Sequence, residues 1–142
     1  HIPSSYGIIV TYVQYLVDAG QYGDVIKFLE KMKFRQMEHD PEMWNYLGVA
    51  YAGKGDFEKA LKAYEKALLL DNEYAVVFRN LGSAYFSLFL KTRDQKDCQK
   101  SIQNYKKAIE LQPDYASAFN RLGVAYRQAG NLDEAIYSWK KA

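Results

Sequence analysis

Trp44-Asn45-Tyr46-Leu47-Gly48-Val49-Ala50-Tyr51 decides the fold, because the same pattern returns twice further along the chain. It comes back as Phe78-Arg79-Asn80-Leu81-Gly82-Ser83-Ala84-Tyr85 and as Phe119-Asn120-Arg121-Leu122-Gly123-Val124-Ala125-Tyr126. Each copy reads aromatic-x-x-Leu-Gly-x-Ala-Tyr. A second block follows every first one: Ala60-Leu61 with Tyr64 and Ala67, then Ser101-Ile102 with Tyr105 and Ala108, then Ala135-Ile136 with Trp139 and Ala142. Trp44 to Phe78 spans 34 residues, as does Ser101 to Ala135, whereas Phe78 to Phe119 spans 41. A fixed period of this size marks a stack of small supersecondary units, so it outranks any reading made element by element.

Within each block apolar residues fall at i, i+3, i+4 and i+7, which places one buried stripe on each of two helices. Gly53-Lys54-Gly55-Asp56 and Ala129-Gly130-Asn131 break the helices inside a unit. Asp71-Asn72 and Gln112-Pro113-Asp114 divide one unit from the next. This pattern resembles the tetratricopeptide-repeat family, whose unit is 34 residues with the signatures quoted above. The signature positions are Trp44, Gly48, Tyr51 and Ala60, then Phe78, Gly82 and Tyr85, then Phe119, Gly123, Tyr126 and Ala135. The resemblance implies an all-α, right-handed superhelical solenoid of about four units forming a single domain over residues 1–142. The units run from 6 to 40 in divergent form, 41–74, 75–115 with seven extra residues, and 116–142 cut short. The first is marked by Gly20-Gln21-Tyr22-Gly23-Asp24-Val25-Ile26, which echoes Gly55 to Leu61, with Val13 where glycine is expected and Leu29 in place of the aromatic.

Two local expectations follow. Glycine inside a helix costs about 1 kcal/mol against alanine, so Gly48, Gly82 and Gly123 imply close helix approach, with Ala60, Ser101 and Ala135 facing them and the aromatics filling the flanks. The seven extra residues, around Phe86 to Asp94, amount to about two helical turns, one for each helix, rather than a loop. Phe89 and Leu90 there either project as an apolar patch or pack against the lengthened second helix.

Composition narrows the function. The chain has 142 residues, 49% hydrophobic and 25% charged, and its 19 basic and 17 acidic residues leave a net charge of +2. That lacks the basic excess that phosphate neutralisation requires, so nucleic acid is not an expected partner. The apolar run from Tyr6 to Val17 is too short to span a bilayer, so no membrane segment is expected. A single cysteine, Cys98, excludes an internal disulfide and a paired thiolate metal site, and suits a reducing, by default cytoplasmic, setting. His1 and His39 have no metal-ligand or nucleophile spacing, and no phosphate loop is present, so no metal, no cofactor and no catalysis are expected. The chain opens at His1 and stops at Ala142 inside a helical pattern, which reads as a piece of something longer.

The family resemblance implies a protein or peptide partner, bound by the first helices of the units on a concave surface. Their outward positions are Thr11 and Gln14, then Asn45, Tyr46 and Val49, then Arg79, Asn80, Ser83 and Phe86, then Asn120, Arg121, Arg127 and Gln128. Asparagine can hold a peptide backbone, arginine a carboxylate and aromatics an apolar side chain, so an acidic or free C-terminal segment fits. Some family members clamp a terminal carboxylate with five residues. Asn80 and Arg121 match two of these, while Asn45, Val49 and Ser117 stand where Lys, Asn and Lys occur. The alternative reading is a recognition or oligomerisation arm of a larger enzyme or assembly, with Ile136 and Trp139 of the last helix left uncovered for self-association.

Overall fold

The computed structural model describes residues 5–32 and 38–142, and every element among them is an α-helix. The helices fall into two compact units, residues 1–72 and 73–142. His1 and the stretch 33–37 of the expected first repeat lie outside the described residues. The first unit holds α1 (Ser5–Asp18), α2 (Tyr22–Lys31), α3 (Pro41–Gly53) and α4 (Phe57–Leu70); the second holds α5 (Ala75–Thr92), α6 (Gln95–Leu111), α7 (Ala116–Gln128) and α8 (Leu132–Lys141). In each unit a first helix packs on its own second helix, which in turn packs on the next first helix. These are the helix-turn-helix pairs expected from the repeat.

The local signals act as the sequence suggests. Asp40 caps α3 by accepting from the Glu42 amide at 2.9 Å, with Pro41 in the first turn. Its other carboxylate oxygen accepts from the Tyr6 hydroxyl, tying α1 to the start of α3. The chain leaves α3 through Gly55 at φ +82, where the Asp56 amide bonds the Tyr51 carbonyl at 2.9 Å and the Gly55 amide bonds that of Ala52 at 3.0 Å. This closure needs a left-handed residue, and glycine adopts it without a Cβ penalty. After α5 the same conformation falls to Arg93 at φ 62.

The seven extra residues extend helices. α5 has 18 residues against 13 in α3 and α7, and α6 has 17 against 14 in α4. Only Arg93 and Asp94 separate α5 from α6, and Asp94 caps α6 by accepting from the Lys96 amide at 2.9 Å. Asp94→Ala is therefore expected to lower stability by about 1 kcal/mol and Asp94→Ser to leave it nearly unchanged, as read from urea midpoints. Of the two apolar residues in the extension, Phe89 is buried and packs near Phe86, with ring centroids 6.1 Å apart, while Leu90 stays exposed.

Packing in the seams corrects one expectation. The groups that need the helix glycines are the second-helix aromatics. A Cβ on Gly48 would lie 2.4 Å from the Tyr64 ring, on Gly82 2.6 Å from Tyr105, and on Gly123 2.4 Å from Trp139. Of the small residues, Ser101 does face its glycine, donating to the Gly82 carbonyl at 2.8 Å, and Ala60 and Ala135 are fully buried. Trp139 is thus half-buried over Gly123 and not uncovered, which leaves Ile136 as the exposed member of that pair. Gly53, read from sequence as a turn residue, ends α3 with the Tyr22 ring of α2 lying where its Cβ would be.

Candidate functional site

In the second unit, spacing by whole turns puts Arg79, Ser83 and Phe86 on one face of α5 and Ser117, Arg121 and Val124 on one face of α7. Between them lies a cavity of about 390 Å³ lined by Phe86, Tyr105, Ser117, Asn120, Arg121 and Val124. Three of the thirteen outward positions expected to line the binding surface, Phe86, Asn120 and Arg121, meet at this wall. Tyr105 belongs to α6 and reaches the cavity from beneath. Its ring covers Gly82 and its hydroxyl lies 3.1 Å from Ser83 Oγ. Burial pushes the Tyr105 phenol up, and the Ser83 hydrogen bond and the Arg121 guanidinium oppose that rise. The floor is therefore a neutral phenol beside an exposed cation.

Arg79 is held to one side of the cavity. Its Nη1 donates to Ser117 Oγ at 3.2 Å, its Nη2 donates to Asn80 Oδ1 at 2.9 Å, and the guanidinium stacks 5.5 Å from the Tyr115 ring. Two arginines thus play different parts. Arg79 is anchored within the unit, whereas Arg121 is exposed.

The equivalent face of the first unit is more self-satisfied. The Tyr46 hydroxyl donates to Gln14 Oε1 and lies 3.3 Å from a Glu42 carboxylate oxygen, while Gln14 Nε2 donates to Asp18 at 2.8 Å. Thr11 donates to the Gly7 carbonyl at 2.8 Å. Asn45, expected on the lining, is instead 6% exposed, so it belongs to the interior. Arg127, also expected there, has its guanidinium 6.0 Å from the Trp139 ring and covers the α7–α8 seam. The expected lining therefore narrows to the α5–α7 face of the second unit. Tyr105 and Val124 were missed there. Tyr105 reads from sequence only as a seam aromatic, and the direction of its hydroxyl depends on the crossing of α6 beneath α5.

Cys98 is buried, with Sγ donating to the Ala125 carbonyl at 3.7 Å, and burial pushes its thiol up, away from the thiolate that nucleophilic chemistry requires. Among the described residues no group of three or more His, Cys, Asp or Glu side chains is placed to hold a metal ion, and no helix is long and apolar enough to cross a membrane.

Comparisons with known proteins agree with this architecture. Family models described as "Tetratricopeptide repeat" match residues 41–74 and 116–142, and one described as "TPR repeat" matches residues 92–128. No curated protein sequence matches significantly. Among solved structures, MamA is 27% identical with a TM-score of 0.79 over 93% of this chain and 72% of its own. A thermophilic TPR protein of Thermus thermophilus is 22% identical with a TM-score of 0.81, covering 93% of this chain and 70% of its own. The second TPR of Spaghetti (RPAP3), bound to the HSP90 peptide SRMEEVD, is 23% identical with a TM-score of 0.65, covering 75% of this chain and 92% of its own. With the aromatic-x-x-Leu-Gly-x-Ala-Tyr blocks seated glycine-to-ring in paired helices, and with the three family models together matching more than half of its length, the chain belongs to the tetratricopeptide-repeat family.

Proposed function

We propose that this chain is a protein-interaction module whose α5–α7 face takes an acidic segment of a partner, either internal or C-terminal. The observation that carries the reading is the 390 Å³ cavity with the exposed Arg121 at its wall and Asn120 beside it. A carboxylate can pair with Arg121, Asn120 can bond a peptide group, and an apolar side chain can enter against Phe86 and Val124. The likeness to the RPAP3 repeats, whose bound peptide ends in Glu-Glu-Val-Asp, supports an acidic ligand.

The test is a peptide array that compares free-acid with amidated C-termini at low and high salt. Arg121→Ala is expected to weaken acidic peptides by about tenfold, the scale of one hydrogen bond to a charged group. Binding that ignores both salt and Arg121 would overturn the reading. A second reading, self-association, is favoured by the exposed Leu132, Ile136 and Tyr137 on α8. Light scattering that shows a strict monomer at high concentration would remove it.

A further inference from the structure

α3 carries two opposed faces. At about 100° per residue, Tyr46 and Val49 point one way and Trp44, Leu47 and Tyr51 the other. The second face is the floor of a separate recess of about 200 Å³ in the first unit, and its α4 wall contains Lys59, Lys62 and Lys66. Lys59 and Lys66 lie over aromatic rings, and Lys62 stands between them along the wall.

Lys66 Nζ lies 4.7 Å from the Trp44 ring centroid and Lys59 Nζ 5.6 Å from that of Tyr51. Lys59 also has a weak partner in Asp56, at 3.7 Å. Glu58 and Glu65 share α4 but are not among the residues lining the recess, and Glu30 of α2 accepts from the Tyr51 hydroxyl at 2.8 Å. Lys62 and Lys66 form no ion pair among the described residues, so the wall's uncompensated positive charge rests on them.

The second unit supplies an internal comparison. Its recess in the same register has Phe119, Leu122 and Tyr126 as the floor, yet Glu134 and Tyr137 stand where the first unit has Lys59 and Lys62. The repeat therefore keeps the aromatic floor within one chain, while the second recess is larger, about 380 Å³ with Lys106, Ile109 and Glu110 added to its lining, and two of the three lysine positions change, Lys141 standing where the first unit has Lys66. Packing needs the aromatic floor; it does not need three lysines along one wall.

We infer that the recess between α3 and α4 is a second interaction surface, which binds an acidic segment of a partner protein carrying one aromatic or large aliphatic side chain. The charge of the wall selects the acidic flanks, and the floor of Trp44, Leu47 and Tyr51 takes the apolar side chain. A concave pocket with room for one side chain favours a peptide over a bilayer, which presents no such protrusion.

The experiment uses the whole chain, ¹⁵N-labelled, with the acetylated and amidated peptide Asp-Glu-Phe-Glu-Asp at low ionic strength. Shifts are expected at the Trp44 indole N–H and at the Tyr51 and Ala63 amides. Lys62→Glu with Lys66→Glu should weaken binding about tenfold or more, since attraction becomes repulsion at two sites. The corresponding pair of arginine substitutions should retain the shifts at Trp44, Tyr51 and Ala63, Arg121→Ala should leave those three shifts unchanged while removing any at the α5–α7 face, and replacing the peptide's Phe by Gly should weaken them. Circular dichroism verifies that each variant is folded. The inference is overturned if no shifts occur, if shifts occur at Asn120 and Arg121 but not at Trp44, Tyr51 and Ala63, or if charge reversal has no effect. It is equally overturned if phosphatidylserine vesicles bind through these lysines while the peptide does not.

Discussion

Phe89→Ala is expected to destabilise the protein by about 3 to 5 kcal/mol, the range for deleting a buried aromatic. Phe89 is 2% exposed, packs against Phe86, and has the Arg93 guanidinium 5.7 Å from its ring centroid. Its removal leaves a hole in the part of α5 that extends past the common repeat length, where α6 is lengthened to match. Leu90, next in sequence and 45% exposed, is the control, and Leu90→Ala should change stability by no more than about 0.5 kcal/mol. Urea unfolding followed by far-UV circular dichroism measures both. Equal, small effects would mean that the extension adds surface and no core. A large gap would show that the seven extra residues lengthen the packed seam.

Gly82→Leu should cost about 3 kcal/mol, at the upper end of overpacking penalties. The first added carbon already falls 2.6 Å from Tyr105, a ring 2% exposed whose hydroxyl is held by Ser83. That ring cannot swing aside without breaking the bond to Ser83 and deforming the cavity floor. Gly82→Ala meets the same carbon and should still destabilise, despite the helix-propensity gain of about 1 kcal/mol that alanine brings. Gly23 provides the opposite sign. It is helical, and the nearest atom to an added Cβ is the flexible end of Lys54 at 4.0 Å, so Gly23→Ala should be neutral or stabilising. Calorimetric midpoints that rank Gly82→Ala at or above wild type would refute the ring-on-glycine account. Because Tyr105 also lines the 390 Å³ cavity, Gly82 variants that remain folded should lose peptide binding along with stability.

Much of the architecture was legible because it is written in local, repeated chemistry. The period exposed the units, the 3.6-residue stripes exposed their helices, and Asp40, Asp56, Asp94 and Asn131 each cap the helix that follows them. The extension of 75–115 was readable as helix since its length is close to whole turns. The candidate site was legible only in part. Spacing placed Phe86, Asn120 and Arg121 on the faces that meet at the 390 Å³ cavity, but it treated every non-core position of a first helix as equivalent. Asn45 and Arg127 show why that fails: one is enclosed by neighbours that are distant in sequence, and the other bends back over Trp139.

The sequence by itself determined that this chain is a set of paired helices with a seam glycine in all but the first pair, because helix periodicity, capping and turn chemistry act between residues a few positions apart. Only the tertiary structure decided which aromatic presses on which glycine, that Tyr105, bonded to Ser83, meets Arg121 at one cavity, and that three lysines of α4 share the wall of a recess floored by Trp44 and Tyr51. Those outcomes depend on how far apart two helices sit and at what angle they cross. Both are set by the summed packing of many side chains, and no single repeat position encodes them.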